Sequence, residues 1–210
     1  MEPLQYVTMV TLDAEGDASF VQGDMQSKSN SEKGGTAAAP ARASNASVEH
    51  VLGQATTPQQ FCAALAKLFG VRPTEVALMR LEKGLLNFVY PEQLKTAGSI
   101  PVSSSSAVAA HTASTRKTEL FNAFVKVKHA SIFESVKLNS ASEDEDRSGQ
   151  NAIQKLMSAP ILDPNRKVLG VVQVCRKGFD TATAGPDFSQ EDLQQLELAA
   201  KVLSTLPFVK

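Results

Sequence analysis

The strongest constraint on the fold is the run Val168-Leu169-Gly170-Val171-Val172-Gln173-Val174, which is apolar at nearly every consecutive position. Strand side chains point alternately to opposite faces, so a strand apolar on both faces belongs in the middle of a sheet with a layer on each side. Gly170 within it marks a place where another backbone or a helix comes close. Residues 152–161 read as a partner strand, separated from the strand at 167–177 by the turn Asp163-Pro164-Asn165-Arg166. Phe188-Ser189-Gln190-Glu191-Asp192 then opens a helix. Ser189 is its N-cap, Asp192 completes the reciprocal bond, and Phe188 and Leu193 occupy the two staple positions. Leu193, Leu196, Ala200 and Leu203 form its apolar stripe, with Gln194, Gln195, Glu197 and Lys201 mainly outside.

Upstream, Thr57-Pro58-Gln59-Gln60 supplies a hydroxyl cap, a proline at the first helical position and a glutamine three residues after the cap. Phe61, Leu65, Leu68 and Phe69 recur on one face, and Gly70 suits a left-handed stop. Residues 74–82 and 85–90 read as strands joined by a tight turn at Lys83-Gly84. Residues 91–101 read as a loop. The serine run 103–106 is expected to cap an alanine-rich helix reaching about Ser114, with a short strand following at 118–122. A helix is expected over 129–138. The acidic run Glu143-Asp144-Glu145-Asp146 reads as a solvated loop, because consecutive carboxylates lack the alternating spacing of a calcium loop. Residues 4–12 and 18–21 suit a short hairpin, residues 26–47 a Ser/Gly/Ala-rich flexible linker, and 48–54 a single helical turn. This divides the chain into an extension, 1–47, and a folded domain, 48–210.

Composition excludes several function classes. A formal net charge of -1 gives no pull toward nucleic acid or an anionic membrane. No segment approaches the roughly 18 uninterrupted apolar residues of a membrane span, and a cytoplasmic location is expected. Cys62 and Cys175 lack CxxC spacing and a neighbouring histidine, so both read as buried thiols in a reducing compartment. His50, His111 and His129 show no ligand spacing, and no metal or cofactor is expected. The GxSxG elbow of a hydrolase and the glycine-rich phosphate loop are both missing.

Helix, hairpin, helix, strand, two long antiparallel strands and a closing helix describe an α+β fold with an antiparallel sheet. Ala159-Pro160-Ile161-Leu162-Asp163, then the 167–174 strand, Lys177 and Phe188-Ser189-Gln190-Glu191-Asp192-Leu193, resembles the C-terminal half of a GAF domain. Ser99-Ile100-Pro101-Val102 with the following helix is similar to that family's earlier pocket-side segment. The resemblance covers residues 57–203. It implies a central antiparallel sheet of five or six strands, helices packed on one side and, in many members, a small-molecule pocket on the other. Cyclic-nucleotide members carry an asparagine-lysine pair followed by phenylalanine and, four residues later, an acid. Lys177, Phe188 and Asp192 match, while Arg176 stands in the asparagine's place and turns the reading away from cyclic nucleotides. The resemblance further implies that Lys177, Phe188 and Asp192 lock strand to helix.

The expected function is therefore a non-catalytic sensory or regulatory module that binds a small molecule or a partner protein, acting as a homodimer or through a separate output protein. Ser105, Ser106, His111, Phe121, Asn122 and Phe133 are the ligand-binding candidates. The serine-capped helix start would offer backbone N–H groups to an anion, and Phe121 or Phe133 would stack on a flat ring. The rival is a ligand-free dimerisation module in which helices 58–69 and 190–203 pack on a second copy. The third reading is a thiol reductase like the family's free methionine sulfoxide reductases. It needs clustered cysteines, whereas Cys62 and Cys175 fall on separate elements.

Overall fold

The computed structural model describes residues 45–124 and 152–210, which fall within a unit spanning Arg42–Lys210. The hairpin at 4–21, most of the linker, the helix at 129–138, the acidic loop and Phe133 lie outside the described residues.

Ten-residue strands β5 (Ile153–Leu162) and β6 (Val168–Lys177) form the centre of the molecule. They pair antiparallel around the 163–166 turn, where Arg166 N–H donates to Asp163 O and Lys167 N–H to Asp163 Oδ1. β6 also pairs with β1 (Val76–Glu82), so it is flanked on both edges as its two apolar faces require. β1 turns into β2 (Leu85–Tyr90) through Lys83-Gly84, both at positive φ, which matches the right-handed twist of a two-residue hairpin. With β3 (Ser99–Pro101) and β4 (Glu119–Phe121) the six strands run β3-β2-β1-β6-β5-β4, every neighbour antiparallel.

One face carries α2 (Pro58–Phe69) and α4 (Gln190–Leu203), whose apolar stripes pack on Val76, Leu78, Met157, Ala159, Val172 and Val174. α1 (Asn45–Gly53) packs against both helices and buries Val48 and Leu52. The opposite face carries α3 (Val108–Thr115) over Met79, Leu156, Val171 and Cys175. The two apolar layers thus sit on opposite faces of one sheet.

Local chemistry explains most helix ends. The Thr57 hydroxyl accepts Gln60 N–H, and Gly70 closes α2 at φ 58°. Ser189 and Asp192 exchange both bonds of a capping box, Ser189 N–H to Asp192 Oδ2 at 2.7 Å and Asp192 N–H to Ser189 Oγ at 3.1 Å. Four expectations need correction. α3 is capped by Ala107 with no side-chain bond, because the serines before it form turns and the buried Ala107 and Ala109 fix where the helix meets the sheet. Residues 91–101 contain a 3-10 turn, Glu92–Thr96, and the edge strand β3, since Leu94 and Ile100 have an apolar layer to enter. α1 has nine residues rather than one turn, supported by packing that its short pattern does not announce. Gln195, expected outside, is buried with Leu196, Ala199 and Ala200 on the inner side of α4.

Candidate functional site

Burying a hydroxyl or amide without a partner costs about 1–3 kcal/mol, so polar groups inside an apolar layer must be accounted for one by one. On the α3 face they form a chain. Gln173 Nε2 donates to Ser158 Oγ at 3.1 Å, and Ser158 Oγ lies 2.7 Å from Thr112 Oγ1. Thr112 Oγ1 donates to Glu119 Oε2 at 2.9 Å, and Glu119 Oε1 lies 2.9 Å from His111 Nδ1. A hydroxyl has one proton, so with Thr112 donating to the carboxylate, Ser158 must donate to Thr112. Every proton in the chain then points toward Glu119. Thr112 and Ser158 are fully buried and Gln173 nearly so, while the His111 side chain is 61% exposed.

Glu119 consequently fixes the imidazole. A carboxylate accepts only, so Nδ1 carries the proton, and in neutral His111 the exposed Nε2 is left as an acceptor. Among the described residues no hydroxyl or thiol is hydrogen-bonded to that ring, and no group of histidines, cysteines and acids could hold a metal ion. What the arrangement offers is a fixed acceptor at the end of a buried polar chain. Phe121 on β4 adds an aromatic wall, half-buried and edge-on to Phe124 at 5.9 Å between centroids.

The sequence candidates divide. His111 and Phe121 share the α3 face, whereas Ser105 and Ser106 are exposed in the turn before α3, outside its N-terminus. Asn122 is occupied otherwise: its Nδ2 donates to Phe188 O and its Oδ1 accepts Phe188 N–H, both at 3.0 Å. Thr112, Glu119, Ser158 and Gln173 escaped the sequence reading. Their only signal is polarity inside otherwise apolar strands, and Ser158 lies 46 residues from Thr112.

Phe188 is a junction. Its ring meets Phe69 edge-on at 6.5 Å and lies 4.7 Å from the Arg176 guanidinium carbon. Arg176 in turn donates to Phe69 O at 2.9 Å and Gly70 O at 3.3 Å, tying β6 to the end of α2. Lys177, the neighbour along the strand, pairs with Ile153 and shares its α3-side face. Its backbone N–H donates to the buried Glu75 carboxylate at 2.7 Å. Asp192 belongs to the capping box of α4, and the cation over Phe188 is Arg176. Lys155, buried on the neighbouring strand, holds the segment before α4 through Gly185 O and Asp187 Oδ1 at 2.6 and 2.7 Å.

The family model for the GAF domain matches residues 56–205. Among curated proteins no sequence matches. The fold is similar to the GAF domain of the Acinetobacter phosphoenolpyruvate-protein phosphotransferase (TM-score 0.55, 12% identity, covering 77% of this chain and 88% of that one). It is similar also to the GAF domain of a Coxiella burnetii phosphoenolpyruvate-protein phosphotransferase (TM-score 0.53, 9% identity, 77% and 88% covered). A third similar structure is the free methionine-R-sulfoxide reductase of Neisseria meningitidis in complex with its substrate (TM-score 0.51, 15% identity, 77% and 84% covered). At these identities the likeness is one of fold.

Proposed function

Because this chain belongs to the GAF domain family, we propose that it is a non-catalytic sensory module whose α3 face binds a small molecule or a partner group and whose terminal helices carry the resulting state. The observation that supports this most is the buried chain from Gln173 to Glu119. Three buried polar side chains and the partly buried Glu119 add little net stability over apolar residues of the same shape, yet here they fix one exposed imidazole in one tautomer. Ser105, Ser106 and Phe121 remain proposed contacts around His111, with Asn122 as a support.

Native mass spectrometry of freshly purified protein, with thermal shifts across nucleotides, amino acids and tetrapyrroles, tests the reading. Retained mass or a shift of several degrees, lost in His111→Ala, is expected. A monomer with neither overturns it.

The thiols support the non-catalytic reading over the reductase one. Cys62 lies in the α2/α4 layer and Cys175 in the α3 layer, so the sheet separates them, and burial pushes the Cys62 thiol far above its ordinary pKa. Methionine sulfoxide reduction that disappears in Cys175→Ser would overturn that ranking.

A ligand-free dimer is the second reading, favoured by one observation. The stripes of α2 and α4 are buried on their own sheet, but an open groove of about 540 Å³ runs between α1 and α2, with Val51 56% exposed at its wall. A second copy is the proposed occupant, and sedimentation equilibrium of the native chain and of Val51→Glu reads it directly.

A further inference from the structure

β4 is one of the two short edge strands of the sheet. It lies at the edge, pairs over three residues and is half-buried at all three, whereas nine of the ten β5 residues are buried. Elements with few buried contacts open or shift at lower cost than the core around them. Both ends of this strand are tethered, and to different layers. At Glu119 it is held by His111 and Thr112 of α3. Directly after Phe121, Asn122 grips both backbone polar groups of Phe188, a ladder rung made by a side chain. Phe188 is followed at once by Ser189, the cap of α4, whose own N–H is bound to Asp192.

On the reading that the α3 face holds the site, we propose that the Asn122–Phe188 clasp couples β4 to the first turn of α4 and so reports the state of the site to that helix. The clasp has two distinct conditions. Hydrogen bonds weaken steeply with distance, and lengthening these by about 0.6 Å puts them outside bonding range. A small slide of β4 therefore releases the Phe188 N–H and C=O together. The ring stays fixed by Phe69 and Arg176 while the backbone ahead of the cap is freed, and the first turn of α4 loses the rigid entry that its capping box needs. Glu119 is the lever at the site end, because any group that changes its bonds to His111 or Thr112 acts on β4 directly.

The test uses the full chain and no ligand, so a failure to find a ligand leaves it decisive. Thr112→Val removes the hydroxyl bound to Glu119 at nearly constant volume, and Glu119→Gln perturbs the same bond from the other side. Amide exchange of residues 189–193 is measured for each, in the otherwise native chain and with Asn122→Asp, which keeps the acceptor for Phe188 N–H and removes the donor to Phe188 O. The expected result is a rise of about threefold or more in the native background, falling below about 1.5-fold with Asn122→Asp, the range for coupling through one local element. Exchange in β6 serves as the control for general loosening. An unchanged 189–193 segment in both site variants overturns the proposal, and so does an equal rise in both backgrounds or a rise that β6 shares.

Discussion

Arg176 shows how one side chain can tie a strand to both a helix end and an aromatic ring. The family pattern places an asparagine before the lysine, where this chain has Arg176. An arginine there reaches across to the carbonyls of Phe69 and Gly70 at the end of α2 and lies against Phe188. Burial lowers its pKa from the ordinary value, while the fields of Glu75 and Asp192 oppose that shift and keep the guanidinium charged. Its Nε is buried without a partner, so the forked end does the tying. Arg176→Lys keeps the charge but cannot match the planar fork, and is expected to cost about 1–3 kcal/mol, read as a lower urea midpoint at unchanged slope. Legibility at this scale follows distance along the chain. Thr57, Gly70 and Ser189 act on backbone within three or four residues and are readable; Asn122 acts on Phe188, 66 residues away, a bond that no local pattern announces.

Among the elements, β6 was the most legible because its two apolar faces admit only a central position. Gly170 was expected to allow a close approach, and a Cβ there would lie 2.1 Å from the carbonyl oxygen of Met79 on β1. That contact is backbone, so no rotamer change relieves it. Gly170→Ala is expected to destabilise the protein by about 3 kcal/mol or more, measured by chemical unfolding, because the β1–β6 ladder must separate locally. The shorter elements were harder. β3 and the 3-10 turn before it carry one deeply buried apolar residue each, Ile100 and Leu94, too few to form a period. α3 starts where Ala107 and Ala109 enter the layer, so the better capping chemistry of the preceding serines did not decide its boundary.

Across the described residues, the sheet separates an α2/α4 layer from an α3 layer, and this predicts a gradient of local stability. Amides of β1, β5 and β6 are expected to exchange slowest and those of β3 and β4 fastest, by at least about a hundredfold, since the edge strands pair over only three residues. Equal protection of β4 and β6 in a residue-resolved exchange experiment contradicts that order. The sequence by itself determined the types of the longer strands and helices, the caps of α2 and α4, the central place of β6 and the family, because each depends on local periodicity or on neighbours a few residues apart. Only the tertiary structure decided that His111, Glu119, Thr112, Ser158 and Gln173 form one polar chain, that Arg176 holds Phe188 and that Asn122 clasps it. Those are bonds between residues brought together by sheet order, and sheet order is set by which apolar faces can be buried at once, a property of the whole chain.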